Sequence, residues 1–385
     1  MKVVILVDSL IRGGAERQAL LTLRELVRRG VDARLIRYYE TPDGYDWPAE
    51  LNSRIVLLEK KRRTLRFVWR LHRYLRRERV DVVHGFKDVP GIYACVCGWM
   101  AGVPVRIIGH RSLSLPTGLL RKAYRLMRFF ATAWIGNAQA VTDVLNSELD
   151  VPASRLCVVL NGIETDRFRI SLDRKTARER LQIAPGADVV TMVAVMREGK
   201  NHRMFVRMAA RVRERRPDTV FLLVGDSDPL EPNCLEDVQR EVQRAGLTDS
   251  VRFLGMRADV PEILQATDVA VLTTRFEGMS NALLEAMSAG VSIVTTDYVG
   301  ARELVQDGIE GFLVPLDDAE AMAERVSQLL ADPEMRTRMG QAGVERIDRQ
   351  FSMQAMGDRL VDVYSAFLAG RGDIPQEASG VSSAR

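Results

Sequence analysis

The sequence predicts an α/β chain folded as two doubly wound parallel sheets, and three observations predict it. Short apolar runs at residues 2–8, 31–38, 54–58, 80–84 and 105–109 alternate with stretches of helical periodicity. That alternation builds parallel sheets. The pattern restarts at residues 189–195, 220–224, 251–254, 269–272 and 292–295. The length of 385 residues suits two or three domains at about 100–200 residues each.

Residues 2–8 read as a buried strand because the run is apolar without alternation. Residues 9–14 form a loop. Residues 15–29 carry Ala19, Leu23, Leu26 and Val27 at helical spacing, and Gly30 stops the helix. The later runs repeat this strand–helix unit. Between the halves, residues 158–168 contain the turn signal Asn161-Gly162. The first domain is therefore expected over 1–165, the second over 166–350, with a linker near 161–170. Residues 370–385 are rich in Ser, Gly and Ala and are predicted to be a disordered tail. Ligands of open α/β sheets bind beyond the carboxyl ends of the strands. The chemistry is therefore expected on loops that follow strands, in a cleft between two Rossmann-like halves.

The balance of 46% apolar and 28% charged residues excludes wholesale disorder. Four cysteines cannot staple a chain of this length, and Cys95 and Cys97 sit in an apolar run that reads as core. No signal peptide is expected, since the sequence leads directly into a strand-like run, and no run of 18 apolar residues would span a membrane. The net charge of +4 conceals a split: residues 1–150 carry +11 and the remainder −7. Such a split points the first domain at something anionic.

The first loop, Arg12-Gly13-Gly14-Ala15-Glu16, follows a strand and opens a helix. Its glycines let backbone amides approach a bound anion, although a plain tight turn fits as well. The most informative segment runs from Phe276 to Gly290. Ser280 or Asn281 caps its helix, Glu277 precedes it, and Glu285 falls in its early turns. Two carboxylates around a helix N-terminus can hold two polyols flanking one phosphate, the outline of a sugar nucleotide. The competing reading makes Glu277 a surface loop residue and Glu285 a solvated helix residue. Arg197 and Lys200 are cations on a strand-to-helix loop, suited to a diphosphate or simply to water. His84 and His110 are expected at strand ends of the first sheet, as a base or a sugar ligand. Asp226-Ser227-Asp228 reads as a loop rather than a metal motif, and no cluster has metal-ligand spacing.

Taken together, these segments resemble the retaining GT-B glycosyltransferases of glycosyltransferase family four. Gly13-Gly14-Ala15-Glu16, Asp81-Val82-Val83-His84, Gly136-Asn137-Ala138, Asn161-Gly162-Ile163 and Val224-Gly225-Asp226 stand in the family's order. So do Phe253-Leu254-Gly255 and Asp259-Val260-Pro261. Glu277 and Glu285 match its E-x7-E element; Gly300 with Glu303, and the stretch 308–311, complete the pattern. The resemblance implies transfer of a sugar from a nucleotide diphosphate sugar, UDP by family habit, to an acceptor hydroxyl with retention. It implies that Glu285 binds the ribose, that Glu277 holds sugar hydroxyls, and that the amides of Asn281 and Ala282 beside Gly278 meet the phosphates. Lys200 would neutralise the leaving diphosphate, Gly13 and Gly14 would admit it, and His110 would touch the donor sugar. No metal is expected. Where the family often has arginine this chain has Val195, and Arg197 lies two positions later. Residues 353–368 would be the family's final helix, packing back on the first domain.

The surplus charge of the first domain concentrates at residues 60–79 and 121–128. As a helix, 64–77 is expected to put Leu65, Val68, Trp69, Leu71 and Leu75 on one side and Arg66, Arg70, Arg73 and Arg77 on the other. The stretch 119–134 mixes Arg121, Lys122, Arg125 and Arg128 with apolar residues. Basic amphipathic helices rest on anionic membranes, or present a solvated face over a core stripe. No nucleic-acid motif accompanies the charge. The expected protein is cytoplasmic, peripheral on the inner face of the membrane, with a saccharide or lipid-linked acceptor. A sugar-nucleotide epimerase of the same architecture and a non-catalytic sugar-nucleotide-binding protein are the competing readings.

Overall fold

The computed structural model describes residues 1–11, 13–41, 47–61 and 63–371. Arg12, Arg62 and the predicted tail beyond Arg371 lie outside the described residues. The chain divides into two compact units. One is Met1–Gly162 with the segment from Met353 onward, and the other is Ile163–Ser352.

The first unit contains β1 (Lys2–Val7), β2 (Asp32–Arg37), β3 (Ile55–Leu57), β4 (Val82–Phe86), β5 (Val105–His110), β6 (Ala133–Gly136) and β7 (Leu156–Val158). All pair in parallel, in the order β3-β2-β1-β4-β5-β6-β7. A parallel sheet needs cover on both faces, and β1 is accordingly buried from Val3 to Val7. Ala19, Leu23 and Leu26 of helix Gly14–Arg28 cover one face, beside Met356, Leu360 and Val363 of helix Met353–Leu368. The two helices meet at Gly357, where a Cβ would lie 2.5 Å from Arg29 Nε and 2.6 Å from Glu25 Cγ. On the other face, helix Thr64–Arg77 inserts Phe67, Leu71 and Leu75, and helix Asp88–Ala101 inserts Ala94 and Cys97. Cys95 turns to a neighbouring cluster with Tyr124, Trp134 and Leu145.

Three expectations change here. His84 lies mid-strand in β4, not at a strand end, because pairing with β5 carries β4 on to Phe86. In helix Thr64–Arg77 the core takes Phe67, Leu71 and Leu75, spaced by four, and leaves Leu65 86% and Trp69 55% exposed. Trp134 belongs to no basic helix; that helix ends at Leu126, and Trp134 is buried in β6.

The second unit contains β8 (Val189–Val193), β9 (Val220–Val224), β10 (Val251–Gly255), β11 (Val269–Leu272), β12 (Ser292–Thr296) and β13 (Gly311–Val314). They too are parallel, ordered β10-β9-β8-β11-β12-β13. In each unit strand order reverses once, between β1 and β4 and between β8 and β11. Those reversals open the crevices in which such sheets hold ligands.

Candidate functional site

In the second unit the loops leaving β8 and β11 converge at the reversal. Threonine hydroxyls join them. Thr273 donates to the carbonyls of Lys200 at 2.8 Å and Asn201 at 3.0 Å, and Thr274 donates to that of Gly199 at 3.1 Å. The amide of Arg275 also donates to Gly199 at 3.0 Å, and Thr296 of β12 donates to Thr274 at 2.5 Å. This backbone clamp fixes the two side chains that matter. Lys200 Nζ donates to Glu277 Oε2 at 2.7 Å, with the lysine side chain only 9% exposed. A sequestered ammonium next to a carboxylate is a charge-assisted contact in a site of reduced dielectric.

Behind Glu277 the chain comes very close to itself. A Cβ on Gly300 would sit 1.6 Å from the carbonyl oxygen of Gly278 and 2.6 Å from that of Glu277. Only glycine lets the loop lie there. Ser280 then caps helix Asn281–Ser288, accepting from the Leu283 amide at 3.5 Å. Asn281 and Ala282 fall in the first turn, whose amides lack intrahelical acceptors and favour anions. Glu285, one turn on, is buried at 7% exposure. Lys200, Glu277, Gly278, Asn281, Ala282 and Glu285 thus belong to one neighbourhood of two loops and one helix start.

Arg197 is directed elsewhere. Its guanidinium is 4.0 Å from Asp228, and it lines a cavity of about 410 Å³ together with Arg203, Glu231, Cys234 and Arg275. Asp226 and Asp228 accept from their own loop, from the amides of Ser227 and Leu230 at 2.8 and 2.9 Å. His202 lies beneath the site, and burial together with the Lys200 charge pushes its imidazole down to about 4.

The first unit arranges its crevice differently. Gly13 is extended, at φ −167°, and its value is space: a Cβ there would lie 2.3 Å from Glu16 Oε2. Gly14 begins the helix. Glu16 is buried and paired with Lys87, which also lies 3.7 Å from Asp8. Lys87 holds a left-handed φ of 72° between β4 and helix Asp88–Ala101. His110 ends β5 and is 1% exposed, with Nδ1 3.1 Å from both Asp88 Oδ1 and Tyr124 Oη. A proton on Nδ1 shared with the carboxylate leaves Nε2 as the lone-pair nitrogen. Among the described residues Nε2 has no hydrogen-bond partner. His84 Nδ1 lies 2.8 Å from Tyr364 Oη, and burial, aided by the Arg111 charge, pushes its imidazole down to about 3. Burial also lowers Arg111 to about 10, while its guanidinium donates to Asn161 at 2.6 Å and stacks 4.5 Å from the Phe86 ring.

Sequence reasoning overlooked Thr273, Thr274, Thr296, Lys87 and Arg111. The paired threonines at 273–274 and 295–296, each closing an apolar run, were the available signal for the clamp.

Two parallel doubly wound units with these crevices define the class, an α/β protein of GT-B fold. Residues 12–167 match the model described as Glycosyltransferase Family 4, and residues 187–332 match the one described as Glycosyl transferases group 1. The chain belongs to this family of group 1 glycosyltransferases. It is 27% identical over 305 residues to the Escherichia coli UDP-Gal:alpha-D-GlcNAc-diphosphoundecaprenol alpha-1,3-galactosyltransferase, covering 76% of this chain and 77% of that one. It is 28% identical over 320 residues to the alpha-D-kanosaminyltransferase of Streptomyces kanamyceticus, covering 78% and 81%. Among solved structures, Anabaena HepE in complex with UDP-glucose superposes with a TM-score of 0.84 at 21% identity, covering 95% of this chain and all of that one.

Proposed function

We propose that this glycosyltransferase moves a sugar from a nucleotide diphosphate sugar, a UDP-sugar, to an acceptor hydroxyl with retention of configuration. The Lys200–Glu277 pair at the start of helix Asn281–Ser288 carries the reading. As the bond from the anomeric carbon to the diphosphate breaks, its electron pair leaves with the phosphate and positive charge grows on the sugar. An ammonium beside a helix N-terminus answers the first change, and a carboxylate answers the second. We therefore assign Lys200, with the amides of Asn281 and Ala282 and the open approach at Gly278, to the diphosphate. Glu277 holds the sugar and Glu285 the ribose. From the first unit, the family resemblance assigns Gly13 and Gly14 to the leaving group and His110 to the donor sugar. Arg197, turned toward Asp228, takes no part in this assignment. Cations and the helix start supply the charge neutralisation in this reading, in place of a metal. The UDP donors named for the galactosyltransferase and for HepE support the nucleotide.

The acceptor is a saccharide or a lipid-linked glycan, as in the undecaprenol-linked substrate of the E. coli relative. We place the enzyme peripherally on the inner face of the cytoplasmic membrane. Leu65, Trp69, Trp99, Met100 and Phe129 stand exposed on helices covering one face of the first sheet, interleaved with Arg66 and Arg73. Apolar side chains among cations suit an anionic bilayer surface. Among the described residues no helix is long and apolar enough to cross a membrane.

A thermal-shift screen against UDP-, GDP- and ADP-sugars tests the donor, since ligand binding to the native state raises the melting point. A UDP-sugar should give the largest rise. Glu277→Ala should stay folded and lose transfer; retained turnover would refute its role. Flotation with phosphatidylglycerol vesicles tests the membrane, and salt-insensitive or absent binding would refute it.

A further inference from the structure

Between β3 and helix Thr64–Arg77 lies a cavity of about 580 Å³ lined by Glu59, Lys61, Arg63, Arg66, Phe67 and Arg70. Four cations face one carboxylate. That carboxylate is already engaged, with Lys61 Nζ 3.3 Å from Glu59 Oε2. Arg70 is half-buried and donates to the backbone carbonyl of Glu59 at 3.3 Å, a neutral acceptor that leaves its charge uncompensated. Among the described residues, Arg63, Arg66 and Arg70 form no ion pair, unlike Arg121, Arg125 and Arg128 of the same unit, which pair with Glu148 and Asp150. The spacing of three and four residues puts these three arginines along one helix flank.

The wall behind them is rigid. Phe67 is buried, 5.1 Å from the Tyr38 ring and 5.0 Å from the Tyr93 ring. Lys60 stacks 5.1 Å from the centre of Tyr93. The cavity opens after a strand's carboxyl end, on the same rim of the sheet as Gly13 and His110. Unpaired guanidinium forks on a fixed wall match phosphate oxygens, which they bind two at a time. We propose that this cavity holds a phosphate or diphosphate group carried by the acceptor. The inference rests on the transferase reading above and adds the acceptor's chemical class.

The test uses inorganic pyrophosphate as the probe, titrated calorimetrically into the full chain saturated with UDP, so that the donor site is occupied. The wild type should bind it. A variant with Arg63→Gln, Arg66→Gln and Arg70→Gln should bind it at least about tenfold more weakly, as loss of charge-assisted hydrogen bonds requires. UDP affinity should be unchanged within about twofold. The single variant Arg66→Gln, at an exposed position, should show a smaller loss in the same direction and guards against misfolding of the triple variant. Pyrophosphate binding that is absent in the wild type, or equal in wild type and variants, overturns the inference. Variants that keep pyrophosphate binding but lose phosphatidylglycerol vesicles also overturn it, because the arginines then serve the lipid surface. Failure of UDP itself to bind counts against the donor reading instead, and the pyrophosphate arm still reads the cavity.

Discussion

The two units share one topology and furnish their crevices differently. In the second, the carboxyl ends of β8 and β11 carry a lysine and a glutamate 2.7 Å apart, held by threonine hydroxyls on backbone carbonyls. In the first, Lys87 after β4 pairs with Glu16, and Arg111 after β5 stacks on Phe86, around the buried imidazoles of His84, mid-strand on Tyr364, and His110, on Tyr124 and Asp88. One crevice sets its lysine directly against a carboxylate at a helix start, and the other sets its cations among buried rings in fixed orientation. A doubly wound sheet supplies only the rim; the residues after each strand decide its electrostatics.

The largest expected effect would break the comparison at the second unit's lysine. Lys200→Met should lower turnover at saturating donor by roughly 10²–10³-fold, the range for loss of one group that stabilises transition-state charge. His110→Gln should cost less, and a reversed order in steady-state kinetics would show that the first crevice carries the chemistry. Next comes the core. Leu360→Ala should destabilise the first unit by about 2–5 kcal/mol, as large-to-small core changes do. Calorimetry should show one transition moving while the other stays. Gly300→Ala should cost the second unit about 1–3 kcal/mol through overpacking and should weaken donor binding, although residue 300 is assigned no ligand contact. Unchanged UDP affinity would separate the loop at Gly278 from the donor.

Acid bears on the two units unequally. His84 is neutral in the fold, pushed down to about 3 from an ordinary 6.5. The unfolded chain therefore binds the extra proton between those values, and stability falls as pH drops through that window. It is fully present above pH 6.5. His202 acts with the same sign over a narrower window, down to about 4. His84→Gln should flatten the melting temperature of the first unit against pH, and His202→Gln should flatten that of the second less. Parallel slopes in all three proteins would remove histidine burial as the cause.

Much of the fold was legible because fully buried parallel strands leave continuous apolar runs, as residues 2–8 and 269–272 do. β6, β7 and β13, of three or four residues, went unread, although β3 and β11 are equally short. Helix Thr64–Arg77 offered two apolar stripes. Leu65 and Trp69 lost to Phe67, Leu71 and Leu75 because Tyr38 and Tyr93 provide the ring contacts only Phe67 can reach. Glu277, Glu285 and Lys200 could be named from their places after strands and around a helix start. Their pairing could not, since it depends on hydroxyls more than 70 residues away in sequence. His84 was misplaced for a related reason: the end of a strand is set by its neighbour's register, which no local window contains.

Helix Met353–Leu368 completes the core of the first unit, against Leu23 and Leu26, although the whole second unit is translated before it. On the ribosome, Ile163–Ser352 can therefore reach its final state while the N-terminal half still lacks a wall. Domains otherwise tend to mature in the order of synthesis; here the order is inverted, and the nascent N-terminal sheet waits with an open apolar face. A stalled or prematurely terminated chain would leave a finished donor-side unit tethered to an adhesive, unfinished one, the kind of intermediate that chaperones intercept.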